Sequence, residues 1–399
     1  MKKIITLTIL TFFISGLFSH LDAIPAFARK YRISCQVCHA PSVPKLKAYG
    51  DQVAADGFRL KEYEAPGYFL NTGDDKLSLL RNFPIAVRMD GFITYNMGNS
   101  EQADFGAPYI IKLLSGGELS DHLSYYFYFL MDERGEIAGV EDAYLMYNNL
   151  FNIDFDIFVG QFQTSDPLYK RELRLTLEDY HLYISRIGLS DFNLSYDRGI
   201  MLTLGLQSKT DVVVEVVNGN GLAEASPAML FDKDKYKNVF GRVAQDVGDF
   251  MRIGITGYFG KENMTNAIGS ALTNSSYYIG PDASFNFSEK WELNTQYLVR
   301  NDDQVFINEE SDQVMSDVGT QGALAELIFS PKGDASSWYA LGMFNYVESD
   351  FDPADYRSAT LHAGYLLRRN VRLAAEYTHI FTDPDNAYGR VSLGFVSAF

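Results

Sequence analysis

The segment Ile85-Ala86-Val87-Arg88-Met89-Asp90-Gly91-Phe92-Ile93-Thr94-Tyr95 decides the fold. Read with a period of two, it places Ile85, Val87, Met89, Ile93 and Tyr95 on one face. Ala86, Arg88, Asp90, Phe92 and Thr94 fall on the other. Successive side chains of a strand point to opposite faces, so this is a strand with one apolar and one charged face. The pattern returns near the end of the chain, where Val371, Leu373, Ala375, Tyr377 and Phe381 oppose Arg372, Glu376 and Thr378. Hydrocarbon outside and charge inside is the pattern of a membrane-spanning β-barrel. A soluble sandwich also alternates, but over shorter strands with fewer aromatics at their ends.

Working outward, about sixteen strand candidates begin near residues 84, 107, 122, 140, 153, 198, 211, 238, 249, 276, 290, 319, 337, 358, 371 and 387. Short connections such as Asn148-Asn149-Leu150, Ser208-Lys209-Thr210 and Arg369-Asn370 alternate with longer ones. The longer ones fall near 163–197, 219–237, 260–275, 301–318 and 348–357. Short turns on the periplasmic side and long loops outside are the mark of outer-membrane barrels. An even strand count sends both barrel ends to the periplasmic side. Sixteen strands are wide enough for an aqueous lumen. Val391, Leu393, Phe395 and Phe399 share one face of the last strand, and a terminal aromatic there resembles the signal read by outer-membrane assembly machinery.

Composition agrees. The 399 residues carry a formal charge of −17, which excludes the positive footprint of a nucleic-acid binder. Hydrophobic residues reach 47%, too many for a disordered chain. Two cysteines rule out a disulfide framework. Lys2 and Lys3, the uncharged run Ile4 to Phe18 and Leu21-Asp22-Ala23 read as a signal peptide over residues 1–23.

The chemistry sits just beyond that signal, in Cys35-Gln36-Val37-Cys38-His39. C-x-x-C-H is the attachment sequence of c-type haem. The two thiols reach the two haem vinyl groups as thioethers, and the adjacent His39 becomes the proximal ligand of the iron. A thioredoxin-like reading wants a βαβ setting, and a zinc half-site wants a second ligand pair. Neither is visible. The layout is then a signal peptide (1–23), a small α-helical monohaem cytochrome c domain (24–80) and an all-β transmembrane barrel of about sixteen antiparallel strands (83–399).

The second axial ligand is not evident. Lys45, Lys47 and Tyr49 lie near His39 but are poor ligands. Either the iron keeps one protein ligand or a weak second one, or the barrel supplies it. By face assignment, Met89 and His379 point to lipid. His362, His122, Met201 and Met146 point inward, and His362 is the leading distal candidate.

Pro25-Ala26-Phe27-Ala28-Arg29, the CxxCH motif, Pro44, Leu46, Tyr49-Gly50 and Gly57-Phe58 together resemble the fused outer-membrane cytochrome–porins. That family includes the iron-oxidising monohaem cytochromes of Fe(II)-oxidising bacteria. The motif match spans about 35 residues, and the barrel matches in architecture, length and terminal Phe. The resemblance implies one covalent haem c on Cys35 and Cys38, ligated by His39. It also implies electron transfer across the outer membrane, from a donor such as extracellular Fe(II) to a periplasmic carrier such as a soluble cytochrome.

Two carboxylate groups bear on the donor. Asp302, Asp303, Glu309, Glu310, Asp312 and Asp317 form one; Glu348, Asp350, Asp352 and Asp355 form the other. Oxygen ligands suit divalent cations, so these loops are candidates to concentrate Fe(II). Equally, they are ordinary solvated loops. The stretch Pro167–Asp179, with Lys170, Arg171, Arg174 and Glu178, is a candidate constriction folded into the lumen. The alternative function is a diffusion porin whose haem segment forms a plug or redox-gated lid. No nucleophile–base pair, phosphate loop or HExxH spacing points to hydrolytic or transferase chemistry.

Overall fold

A computed structural model describes residues 26–60, 68–74, 76–98, 101–131, 137–165, 169–381 and 387–399. The signal expected over 1–23 lies outside these residues. Among them, sixteen strands form one closed antiparallel barrel. They are β1 (Ile85–Asn96), β2 (Gln102–Glu118), β3 (Leu123–Met131), β4 (Ile137–Tyr147), β5 (Phe155–Gln163), β6 (Tyr196–Leu206), β7 (Thr210–Val217) and β8 (Asn238–Val247). Then come β9 (Met251–Thr265), β10 (Ala271–Ser288), β11 (Trp291–Phe306), β12 (Val314–Phe329), β13 (Trp338–Ser349), β14 (Tyr356–Arg368), β15 (Val371–Ile380) and β16 (Tyr388–Ala398).

Each strand pairs with its neighbours in sequence, and β16 returns to β1 with Arg88 opposite Ala398 and Asn96 opposite Arg390. The Val87 N–H donates to the Phe399 carbonyl at 2.6 Å, and the Phe399 N–H donates back to Val87 at 2.8 Å. The last residue therefore seals the first strand, and no edge is left unpaired. The alternation of β1 holds: Ile93 and Tyr95 are exposed, while Ala86, Asp90 and Phe92 are buried.

Three strands start five residues earlier than expected: β2 at 102 against 107, β10 at 271 against 276 and β12 at 314 against 319. The connections expected over 260–275 and 301–318 shrink to 266–270 and 307–313. Their ladders continue above the apolar belt with polar side chains, such as Thr273 donating to Asn263 at 2.8 Å. The inward side chains there, such as Met264, Leu272, Val305 and Val318, pack with Ile187, while the outward positions lack an unbroken apolar run and so read as loop. Asp302 is thereby corrected from a loop carboxylate to a buried strand residue, which takes Arg300 Nε at 2.6 Å and Nη2 at 2.9 Å.

The interior differs most from expectation. Residues 169–195, ahead of β6, fold back inside the barrel. Tyr169, Leu175, Leu182, Tyr183, Phe192 and Leu194 pack there against inward-facing Met146, Phe158, Met201, Tyr258 and Leu324. Each such side chain contributes about 1.5–3 kcal/mol of apolar burial. The lumen thus holds a hydrophobic core.

Candidate haem site

Residues 26–60 sit on the barrel end that carries the short connections. Helix α1 (Ala26–Tyr31) and helix α2 (Ala48–Ala55) flank the CxxCH stretch. Lys30 pairs with Glu118, the last residue of β2, at 3.2 Å. Phe58 stacks between Phe27 and Tyr126, with ring centroids 5.2 and 5.1 Å away. The Asn148 side chain, in the β4–β5 connection, donates to the Ala55 carbonyl at 2.9 Å. Gly57 adopts φ +70°, and a Cβ there would meet Asn148 Oδ1 at 2.5 Å, so both backbone shape and contact require glycine.

Cys35–Val37 form one tight helical turn. The His39 N–H closes it on the Cys35 carbonyl at 2.9 Å, and the Lys47 N–H ties Cys38 O at 3.0 Å. His39 and Leu46 form an antiparallel bridge. Gly50 of α2 lies against this turn so closely that a Cβ would stand 2.2 Å from the Cys38 oxygen.

The imidazole is oriented by backbone. His39 Nδ1 lies 3.0 Å from Pro44 O and 3.2 Å from Lys45 O. Two carbonyl acceptors require Nδ1 to carry the proton, which leaves the Nε2 lone pair for a metal. This is the usual outer-sphere arrangement of a ligating histidine. Burial favours its neutral form. Both cysteines are free and half-buried, and burial pushes both thiols up. A dithiol redox motif instead depends on a lowered thiol pKa. Two free thiols beside an imidazole with an open Nε2 are the residues that a covalently attached haem needs.

The barrel rim clamps this stretch at two points. Lys45 Nζ pairs with Glu292 of β11 at 2.8 Å, and Lys47 Nζ pairs with Asp334 of the β12–β13 connection at 2.6 Å. Gln36 Nε2 donates to the Asp334 carbonyl at 2.6 Å. Burial alone would lower the Lys45 ammonium, but Glu292 outweighs it and holds the pKa above its ordinary value. Lys45 and Lys47, weighed as iron ligands from sequence, are engaged in these pairs, and Tyr49 is exposed. Glu292 and Asp334 were not singled out from sequence. Nothing local marks them, since their partners lie more than 240 residues away.

The distal candidates separate. His362 is buried inward, as read, but Nδ1 contacts Glu376 Oε2 at 2.9 Å and Nε2 contacts Tyr339 OH at 3.2 Å. Placed so, it has no free nitrogen for iron. His122 is a correction: it precedes β3, leans on the outward-facing Tyr147 and bonds Asn148 O at 2.9 Å. Its position in a turn frees it from the strand's alternation. Met146 and Met201 are buried inward, and Met146 Sδ lies 2.6 Å from Asn148 Nδ2 beneath α2. His379 lies between Tyr377 and Phe381 on the outer face.

Of the carboxylates read as loop groups, Asp303, Asp317 and Glu348 lie on β11, β12 and β13, and several are committed to protein partners. Asp350 accepts the Gly319 N–H and Asp355 the Ser349 N–H, each at 2.8 Å. Glu348 binds Arg357 at 3.2 Å. Among the described residues, no group of three or more His, Cys, Asp or Glu side chains converges on a metal position.

The inward connection is fixed rather than loose. Glu376 accepts the N–H groups of Leu177 and Glu178 at 2.8 and 2.9 Å. Arg171 Nε grips both Asp179 oxygens at 3.1 and 3.2 Å, and Tyr180 OH donates to Glu326 at 3.1 Å.

No protein-family model and no curated protein matches the chain. Solved structures do. A loop L8 deletion mutant of OmpT from Vibrio cholerae is 13% identical, with TM-score 0.54, over 80% of this chain and 99% of that one. An anion-selective porin from Comamonas acidovorans is 11% identical with TM-score 0.56, over 80% and 99%. The DcaP channel of Acinetobacter baumannii is 13% identical with TM-score 0.52, over 79% and 96%. The barrel is porin-like. At these identities the likeness concerns the fold.

Proposed function

We propose that the chain is an outer-membrane electron-transfer protein carrying one c-type haem at the periplasmic mouth of a plugged barrel. Cys35 and Cys38 hold the haem and His39 binds its iron. The barrel contacts membrane lipid, with the short connections and both barrel ends on the periplasmic side. The observation that carries the reading is the placement of Cys35–His39. It lies against the short-connection rim, with His39 Nδ1 satisfied by backbone and Nε2 free.

When bound, the haem supplies a one-electron couple. The protein's own residues do the rest. The Pro44 and Lys45 carbonyls fix the His39 tautomer, Glu292 and Asp334 hold the segment on the rim, and the packed residues 169–195 keep solute out of the lumen. The electron donor is extracellular Fe(II), and the acceptor is a periplasmic carrier such as a soluble cytochrome. The test is expression of the full chain with c-type haem maturation, followed by haem staining after denaturing electrophoresis. Stain retained in the wild type and lost in Cys35→Ala/Cys38→Ala is expected; a wild-type chain without covalent haem overturns the reading.

The second reading, a diffusion porin lidded by the haem segment, is favoured by the porin-like fold of the barrel. The packed lumen argues against it. Planar-bilayer recording separates the two: a conduit passes few ions, and a porin shows ohmic conductance.

A further inference from the structure

A cavity of about 30 Å³ lies between the inward connection and the barrel wall, lined by Arg88, Lys112, Arg171, Glu172, Arg174 and Arg372. That volume suits one water-sized occupant. Five cations meet here, and three are held by a carboxylate at hydrogen-bond distance. Arg88 binds both Asp90 oxygens at 2.9 and 2.6 Å. Lys112 binds Glu172 at 3.0 Å. Arg171 holds Asp179.

Arg174 shares the single Asp179 carboxylate with Arg171, and Arg372 has no ion pair among the described residues. Arg174 Nη1 donates to the Arg171 carbonyl at 2.8 Å, and its Nη2 stands 3.8 Å from the already occupied Asp179. Arg372, 2% exposed, donates Nη1 to Tyr339 OH. Glu376, also on β15, is spent on His362 and on the Leu177 and Glu178 N–H groups. Among the described residues, the Nε–H of both Arg174 and Arg372 is buried without an acceptor. A buried charge is stable when paired and hydrogen-bonded. A water would accept the two N–H groups yet leave Arg372 unpaired and two guanidinium groups on one Asp179 carboxylate.

We propose that this cavity is a binding site for one small inorganic anion of halide size. The anion accepts the Arg174 and Arg372 Nε–H groups and ties the connection to β15. The inference is independent of the haem reading.

The test uses the purified full chain in detergent. Crystals grown in sodium bromide should show an anomalous bromine peak between the two guanidinium groups. In solution, the excess chloride-35 NMR line width should be lost in Arg174→Gln/Arg372→Gln, with each single variant measured alongside in case the double variant misfolds. Retention of the barrel is verified by heat-modifiable gel migration. Non-anomalous density at the site, or folded variants that all keep the full excess line width, overturns the proposal.

Discussion

Glu292→Gln tests whether the barrel rim holds the CxxCH stretch. The substitution keeps shape and removes the charge that faces Lys45 Nζ at 2.8 Å. The two side chains are 17% and 28% exposed, so the pair lies between a surface bridge and a buried one. Surface pairs contribute about 0–1 kcal/mol, and breaking a fully buried pair costs about 3–5 kcal/mol. The expected loss is about 1–3 kcal/mol. Lys45 is also the residue whose carbonyl, with that of Pro44, orients His39. Releasing its side chain should therefore loosen the stretch 38–47 before it affects the barrel. The assay is native-state amide hydrogen exchange of the Lys47 N–H, which caps Cys38 O. Every 1.4 kcal/mol is tenfold, so its exchange should accelerate roughly 5- to 100-fold, while amides of β12 to β15 keep their rates. Unchanged exchange at Lys47 would refute the clamp. Equal acceleration throughout the barrel would show a global defect instead.

Three further outcomes follow from the same geometry. Gly50→Ala drives a Cβ against the Cys38 oxygen and should cost about 1–3 kcal/mol, read as lower haem-stain yield at equal barrel yield. Asp179→Asn should free the inward connection by about 3 kcal/mol at neutral pH, measured by exchange across 171–181. Burial would raise the Asp179 carboxyl, but Arg174 and then Arg171 outweigh it and hold it well below the usual carboxylate range. A depressed native pKa stabilises above the unfolded value near pH ~4 and fades as pH falls toward the native one. The difference between wild type and Asp179→Asn should thus be full at pH 7 and begin to shrink below about pH 4. Removing Phe399 deletes two backbone hydrogen bonds to Val87 and should lower the folded yield in the heat-modifiability assay.

The barrel was legible because membrane strands leave a period-two record. The face assignments of Ile85–Tyr95, His362 and His379 followed from it and hold. The record fails where the ladder rises above the apolar belt, which is why Asp302 read as loop. It fails in turns too, which is why His122 read as inward. The plugged lumen was half legible: the charges of Lys170, Arg171, Arg174 and Glu178 suggested an inward fold. The burial of Tyr169, Tyr183 and Phe192 depends on partners in distant strands. The CxxCH motif was fully local. Its anchors Glu292 and Asp334 were not, because closure of the barrel alone brings them to residues 45 and 47.

The most direct test of the central claim is anoxic stopped-flow absorbance of the haem-loaded full chain mixed with Fe(II) near neutral pH. The account predicts prompt appearance of the reduced c-type haem spectrum. A protein that dithionite reduces and Fe(II) does not would contradict the proposed donor. A preparation that carries no covalent haem would contradict the assignment of Cys35, Cys38 and His39 itself.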